Sequence, residues 1–358
     1  MRNLFIVDIE PLDNRYTKQW ATWIPELAQK TLGDKFRVVP VSGHATAYDR
    51  PAAGAFFDFS ATCEYKASQA VEISKLFSSG AVGNGDVFFF TDAWNQTVHT
   101  VKYISELNGI DVKLVGIFHA GAYDPTDILA MRIKNKDWVK ELERSYASAF
   151  DMMFFATEQH KDKFLTNLEL NNPKYHSKSY VCGYPLEYIA DLRNNNEKKN
   201  IVVFPHRINS DKAPEIFTML QTYVQDIFGR KDIEFVRTQD MNMSKEEYYE
   251  FLKSCKVVFS ANKHENLGIG TFEAMTAGCL PLVPSKLSYK EMYSTEFLYY
   301  MPANFYEYPG LYVDSIAKRI INMVDSYSGY NIVWEADVVR IQQHFFSGET
   351  MMVLIGKA

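Results

Sequence analysis

The 358-residue sequence contains no apolar run long enough to cross a membrane. Its first apolar stretch, residues 4–7, is also too short for a signal peptide. Cysteines are few and far apart, with no Cys-x-x-Cys pair: Cys63, Cys182, Cys255 and Cys279. This spacing favours reduced thiols over a disulfide scaffold or a zinc knot. We therefore expect a cytoplasmic protein with no transmembrane segment.

Metal-ligand spacing is missing as well. The histidines are scattered along the chain, and no Asp-x-Asp motif follows a predicted strand. We expect no essential metal ion and no bound cofactor.

An excess of positive charge is also absent, because the formal net charge is −6. Such a chain has no general attraction to a polyanion, so contact with DNA or RNA would depend on a local basic surface. The basic segments 132–136 and 161–163 are candidates for that surface.

The chain has the composition of a globular protein, with 47% apolar and 23% charged residues. Short apolar runs alternate with longer mixed segments, a pattern typical of parallel strands joined by crossover helices. The polar segment 193–200 has almost nothing to bury and precedes a new apolar run. This organisation predicts the α/β class, with two doubly wound, Rossmann-like domains that face a cleft.

The predicted domain limits follow from these composition changes. We expect an amino-terminal domain at 1–192, a linker at 193–200 and a carboxyl-terminal domain at 201–335. Residues 336–358 form a predicted helical segment that can pack back on the first domain.

Two glutamates, Glu265 and Glu273, follow the apolar run 257–259 at a spacing of eight residues. One unbroken helix would rotate the two side chains apart by roughly 80°, so a turn is expected between them. Gly268 and Gly270 permit that turn, and Thr271 can cap the helix that follows. A helix start beside two carboxylates suits a phosphorylated, polyhydroxylated ligand. The alternative is that Glu265 caps a loop and Glu273 is an exposed helix residue.

A second candidate site, residues 205–212, follows the predicted strand 201–204. Arg207 can hold two phosphate oxygens in its planar fork, and Lys212 adds a mobile positive charge. Together they could neutralise a diphosphate. Considered alone, the two residues are better explained as solvated loop charges, but their place at a strand end favours phosphate binding.

The segments 207–212, 244–260 and 265–281 together resemble the carboxyl-terminal half of retaining glycosyltransferases of the GT-B fold, especially family 4. The specific features are the spacing of the glutamates and the Ala-Gly-Cys-Leu-Pro sequence that follows them. The chain departs from the family in two places. The loop 9–16 lacks the usual paired glycines, and Asn-Leu-Gly at 266–268 replaces the commoner Gly-Phe-Gly.

The resemblance implies a role for each matching residue. Arg207 and Lys212 bind the donor diphosphate, and both count among the catalytic residues. Glu265 lies near the donor sugar, while Glu273 hydrogen-bonds the nucleotide ribose. Phosphate binding by the start of the helix is assigned to Leu267, Gly268 and Ile269.

The first half of the chain supplies further candidates at predicted strand ends. His119 ends the apolar run 112–118, where a histidine can donate a hydrogen bond to a sugar, although loop carbonyls could also satisfy it. The resemblance places a catalytic histidine at a similar position. The acceptor-side candidates of lower rank are Asp92, Trp94, Arg15 and Tyr16. Trp94 is equally suited to a place in the core.

These observations lead to one functional expectation and several alternatives. The expectation is a metal-independent, retaining glycosyltransferase that moves a hexosyl or pentosyl group from a UDP- or GDP-sugar to an acceptor hydroxyl. The acceptor could be a saccharide, a small molecule or a modified base in viral DNA. The alternative hypotheses are a GT-B epimerase or phosphorylase, and a protein that binds a sugar nucleotide without catalysing a reaction.

Overall fold

The computed structural model describes residues 1–12, 15–44 and 58–358 of the chain. Residues 13 and 14 of the predicted first loop therefore lie outside the described part. The chain forms two compact units. The first comprises Met1–Leu186 with Ser347–Ala358, and the second comprises Glu187–Phe346.

The first unit alternates strands and helices, as the sequence pattern predicts. Its elements are β1 (Arg2–Val7), α1 (Tyr16–Leu32), β2 (Phe36–Val41), α2 (Phe59–Ser78), β3 (Val87–Phe90), α3 (Thr97–Asn108), β4 (Lys113–Ile117), α4 (Ile128–Arg132), α5 (Lys136–Ala149), β5 (Met152–Phe155), α6 (Glu158–Asn167), α7 (Pro173–His176) and β6 (Ser179–Val181).

The strands of the first unit form one parallel sheet in the order β2-β1-β3-β4-β5-β6. All four residues of β3 are buried, which explains why this strand is a continuous apolar run. Helix α1 buries Trp20, Ile24 and Ala28, spaced four residues apart on one helical face. The order reverses between β1 and β3, which is where doubly wound sheets open a ligand crevice.

The second unit repeats this architecture. Its elements are β7 (Lys199–Phe204), α8 (Pro214–Thr222), β8 (Glu234–Arg237), α9 (Lys245–Leu252), β9 (Cys255–Phe259), α10 (Ile269–Thr276), β10 (Leu280–Pro284), α11 (Tyr289–Met292), β11 (Leu298–Tyr299), α12 (Val313–Asp325) and α13 (Asn331–Phe345).

The sheet of the second unit is also parallel, in the order β11-β10-β9-β7-β8. Its order reverses between the neighbouring strands β7 and β9. Because the carboxyl ends of parallel strands meet at one sheet edge, the loops after these two strands emerge side by side. These are the loops that carry Arg207 and Glu265.

The carboxyl-terminal segment differs from a single predicted helix. Helix α13 ends in the second unit, and a separate helix, α14 (Glu349–Ile355), packs against α1 in the first. Gly348 permits the close approach, since a Cβ there would lie 2.6 Å from Pro185 and 2.7 Å from Leu27. The prediction that the segment 336–358 packs on the first domain is confirmed for residues 347–358, whereas residues 336–346 belong to the second unit. The compact units divide at residues 186 and 346, and β7 begins inside the predicted linker 193–200.

Among the described residues, no helix combines the length and apolar character needed to cross a bilayer.

Candidate active site

The loops after β7 and β9 bring two predicted residues into direct contact. Lys212 Nζ lies 3.1 Å from Glu265 Oε2, and the two side chains are only 9% and 19% exposed. Lys212 also donates a hydrogen bond of 2.9 Å to the carbonyl oxygen of His264. A cation and a carboxylate that are 53 residues apart in sequence are thus joined at the edge of the sheet.

Glu265 also binds the start of α10. Its Oε1 accepts hydrogen bonds from the N–H groups of Gly268 at 2.9 Å and Leu267 at 3.5 Å. Burial alone would raise the pKa of the Glu265 carboxyl, but Lys212 and the other polar neighbours lower it to about 2. The carboxylate is therefore ionised at neutral pH.

These contacts revise the predicted helix start. Helix α10 begins at Ile269, with Gly268 as its N-cap at a φ of 77°, so the prediction that Thr271 caps the helix is wrong. The N–H groups of Leu267 and Gly268, expected to point at a phosphate, donate to Glu265. Glycine suits the cap because a side chain is strained at positive φ.

Arg207 lies beside this pair. Its Nη2 is 3.4 Å from Asp211 Oδ2, and the Arg207 side chain is 33% exposed. Lys212 Nζ is 3.5 Å from the same Asp211 oxygen, so one carboxylate connects the two predicted phosphate-binding cations. The neighbouring His206 is neutral, because burial and the positive charge of Lys212 lower its pKa to about 3.

Glu273 occupies a second cluster, in which α10 meets α9. Its Oε1 accepts from Lys245 Nζ at 2.7 Å and from the Tyr249 hydroxyl at 2.8 Å. The Tyr248 hydroxyl lies 3.3 Å from Oε2. Glu273 is 3% exposed, so it is not the exposed helix residue of the alternative interpretation.

The start of α9 has a signal in the sequence. Ser244 and Glu247 form a reciprocal capping box, which fixes the helix start just before Lys245. The motif indicated the helix. It gave no reason to expect that Lys245 and Tyr249 reach Glu273, because that contact spans 24 or more residues.

In the first unit, His119 follows β4 and hydrogen-bonds the neighbouring strand end. Its Nε2 is 2.9 Å from the carbonyl oxygen of Thr91, and its Nδ1 is 3.4 Å from the Tyr16 hydroxyl. Burial lowers the pKa of His119 below its usual range, although Asp92 partly opposes this effect. His119 is therefore neutral at physiological pH. One of these two hydrogen bonds, to the Thr91 carbonyl, is of the kind that the alternative interpretation expects.

Asp92 forms a buried ion pair that the sequence did not indicate. Its Oδ2 is 2.7 Å from Lys66 Nζ, with side chains 11% and 9% exposed. The Asp92 Oδ1 accepts from the N–H of Trp94 at 3.0 Å. Burial would raise the pKa of Asp92, but the positive charge of Lys66 is the main effect that lowers it.

The other acceptor-side candidates, Arg15, Tyr16 and Trp94, are all half-buried. Arg15 lies over the ring of Tyr16 at 5.6 Å, and both residues adjoin His119 at the start of α1. Trp94 packs on the core, where a Cβ on Gly121 would lie 2.4 Å from its ring. The structure therefore brings Arg15, Tyr16 and Asp92 to His119, while Trp94 packs against the core of the first unit.

The described residues contain no group of three or more histidine, cysteine, aspartate or glutamate side chains that could hold a metal ion.

No protein-family model matches the chain. A tRNA-queuosine alpha-mannosyltransferase from Drosophila melanogaster is 30% identical over 125 residues. The match covers 29% of this chain and 33% of that protein, so it spans about a third of the relative's length.

Several solved structures are similar along the whole chain. The pneumococcal O-GlcNAc transferase GtfA, solved with UDP and GlcNAc, has a TM-score of 0.63 at 7% identity and covers 99% of both chains. Sucrose-phosphate synthase from Thermosynechococcus elongatus scores 0.63 at 11% identity, covering 100% of this chain and 98% of its own. A UDP-forming trehalose-phosphate synthase from Burkholderia vietnamiensis scores 0.61 at 10% identity, covering 100% of both. The predicted GT-B fold, with two doubly wound α/β units, is confirmed.

Proposed function

We propose that the protein is a retaining glycosyltransferase, which moves a sugar from a nucleotide-diphosphate sugar to an acceptor hydroxyl. The observation that carries the proposal is the Lys212–Glu265 ion pair at the edge where β7 and β9 end, with Arg207 beside it. The fold and the partial similarity to a mannosyltransferase support it.

The reaction breaks the bond between the anomeric carbon and the oxygen of the diphosphate. Negative charge then grows on the leaving diphosphate, and positive charge grows at the anomeric carbon. Arg207 and Lys212 would stabilise the leaving group, because fixed cations lower a barrier where negative charge develops. The acceptor oxygen bonds to the anomeric carbon on the face that the diphosphate leaves, and the acceptor proton passes to the departing phosphate oxygen.

Glu265 would orient the donor sugar in this scheme. Its low pKa keeps it ionised, so it acts as a hydrogen-bond acceptor and an electrostatic stabiliser and not as a proton donor. Ile269, at the first turn of α10, would serve the phosphate together with the two cations.

Glu273 would bind the hydroxyls of the nucleotide ribose. Its oxygens already accept hydrogen bonds from Lys245 and two tyrosine hydroxyls. The ribose hydroxyls would therefore replace at least one of these donors. Lys245 is the partner best able to move, because its side chain is 24% exposed and unbranched.

We propose that the donor is a UDP- or GDP-sugar. UDP-sugars are the first donors to test, since GtfA was solved with UDP and the trehalose-phosphate synthase is UDP-forming. We further propose that the reaction needs no metal ion, because Arg207 and Lys212 supply the charge that a divalent cation would otherwise provide.

His119 would be a catalytic residue near the donor sugar, and Asp92, Arg15 and Tyr16 would serve the acceptor side. The relative named for tRNA-queuosine makes a nucleoside in tRNA an acceptor class to test beside saccharides and small molecules. No observation in the structure favours a modified base in DNA. The absence of a disulfide among the four cysteines fits a reducing, cytoplasmic compartment.

The test is a matrix of UDP- and GDP-sugars against saccharides, small alcohols and tRNA, with products identified by mass spectrometry. We expect a new glycoside with retained anomeric configuration, formed equally well with EDTA, and at least a tenfold slower rate for Arg207→Ala. Donor turnover without acceptor would instead indicate an epimerase or a phosphorylase. Donor binding with no product would indicate a binding protein.

A further inference from the structure

A buried tyrosine lies behind the loop that carries Glu265. Tyr289, the first residue of α11, is 0% exposed. Its hydroxyl is 3.0 Å from Ser260 Oγ, 3.1 Å from Asn262 Nδ2 and 3.5 Å from Thr271 Oγ1. The hydroxyl therefore joins the end of β9 to the first turn of α10, which are the two elements that flank Glu265.

Asn262 connects this hydroxyl to Glu265. The Asn262 Nδ2 group donates one hydrogen bond to Tyr289 and another, of 2.9 Å, to Glu265 Oε2. The amide nitrogen must face Glu265, because an amide oxygen in its place would oppose a carboxylate oxygen. Both N–H bonds of Asn262 are thus committed, and Asn262 is 1% exposed.

The ring of Tyr289 supports the other side of the carboxylate. A Cβ on Gly268 would lie 2.8 Å from Tyr289 Cε1, so the ring packs directly against this turn. The Gly268 N–H binds Glu265 Oε1. Tyr289 therefore contacts one donor to each carboxylate oxygen: Asn262 through its hydroxyl and Gly268 through its ring.

The backbone that leads to Tyr289 has an unfavourable conformation. Leu287, two residues earlier, has a φ of 57°. A side chain bearing a Cβ is strained in this left-handed region, and such strain persists only where the surrounding structure requires it. The strained conformation of Leu287 is therefore part of the backbone path that places Tyr289 against Gly268.

We propose that Tyr289 is a positioning residue for sugar transfer, which acts through Asn262 and Gly268 to hold the Glu265 carboxylate in one orientation. This inference rests on the proposed function. Because Glu265 serves the sugar and not the nucleotide in that function, Tyr289 should control the rate of transfer more than the binding of the nucleoside diphosphate.

The chain offers a matched control in Tyr293. This residue is 4% exposed, its ring centroid is 5.8 Å from that of Tyr289, and its hydroxyl has no hydrogen-bond partner in the described part of the chain. Tyr289→Phe and Tyr293→Phe each remove one buried hydroxyl from neighbouring rings. Only the first removes a partner of Asn262.

The experiment measures kcat, nucleotide affinity and melting temperature for the wild type, Tyr289→Phe and Tyr293→Phe. The nucleotide is UDP or GDP, whichever the wild-type protein binds. We expect Tyr289→Phe to lower kcat about tenfold, because a small misplacement of a catalytic group is costly, with nucleotide affinity unchanged. We expect Tyr293→Phe to retain the wild-type kcat. Asn262→Leu should reproduce the loss, and the double variant with Tyr289→Phe should lose no more than either alone.

Each result decides the proposal. Equal kcat values for Tyr289→Phe and Tyr293→Phe overturn it, as does a parallel loss of kcat, nucleotide affinity and melting temperature in Tyr289→Phe. If Tyr289→Phe does not fold, Asn262→Leu takes its place, and a wild-type kcat in that variant overturns the proposal. A wild-type protein that transfers no sugar overturns the proposed function and this inference together.

Discussion

Lys212 and Glu265 form an ion pair of 3.1 Å in which both side chains are largely buried. A buried carboxylate without its cation is costly, and so is a buried ammonium without its carboxylate. The same two groups are proposed to serve the diphosphate and the sugar of the donor. The pair therefore contributes both to the stability of the loops after β7 and β9 and to the proposed sugar transfer.

Lys212→Met should reduce kcat/KM for transfer about 100-fold, since it removes a fixed positive charge near the leaving group. The control is Lys263→Met. Lys263 is close in sequence to Glu265, but it is 35% exposed and lies 3.8 Å from its partner Glu215. Steady-state kinetics of both variants measure the effect. Similar losses in the two would show that position 212 has no special role.

Glu273→Ala should weaken binding of the nucleoside diphosphate at least tenfold, about 1.4 kcal/mol. The change removes the carboxylate proposed to bind the ribose. Glu250→Ala is a suitable control, because Glu250 lies on the adjacent helix α9, is exposed and pairs with Lys253. Titration calorimetry with UDP and GDP gives the affinities. Unchanged affinity in Glu273→Ala would remove the residue from the donor site.

The pH dependence of stability should report on Glu265. Its pKa is lowered from 4.5 to about 2 in the folded protein. A lowered pKa means that the ionised form is favoured by folding, so this stabilisation is complete above pH 4.5 and is lost as the pH falls towards 2. The free energy of unfolding of the wild type, relative to Glu265→Gln, should therefore decrease over that window. Denaturant unfolding between pH 6 and the lowest pH at which the protein folds measures it, and a constant difference would contradict the ion pair.

Lys66→Met should destabilise the first unit by about 3 kcal/mol, because it leaves the buried Asp92 carboxylate without its cation. Adding Asp92→Asn should recover part of the loss. Lys102→Met is the control, since the Lys102–Glu106 pair is exposed and surface pairs contribute little. Denaturant unfolding compares the variants. A loss in Lys66→Met no larger than that in the control would show that the pair is not important for stability.

Much of the fold could be predicted because the strands of buried parallel sheets are nearly continuous apolar runs. Residues 88–90, three consecutive phenylalanines, form part of β3 and are all fully buried. The positions of Arg207 and Glu265 at one sheet edge followed from the same pattern. The division of the carboxyl-terminal segment between the two units could not be predicted, because both α13 and α14 have helical sequences and their packing partners are distant in sequence.

The site was predictable only where motifs are local. The glycines of the sequence predict the turn before α10. The binding of its N–H groups to Glu265 could not be predicted, because it depends on the orientation of the Glu265 side chain. Lys66 looks like an ordinary helix lysine, and its contact with Asp92 spans 26 residues. Tyr289 is separated from Asn262 by 27 residues, so its role emerges only when β9, α10 and α11 pack together.

The most direct test of the central claim is the release of nucleoside diphosphate and the formation of glycoside by the wild type and Lys212→Met, each followed by mass spectrometry under the same donor and acceptor conditions. We predict that the wild type forms one glycoside for each nucleoside diphosphate released, and that Lys212→Met, although folded, forms both about 100-fold more slowly. Equal rates in the two proteins, or no glycoside from the wild type with any donor, would contradict the account.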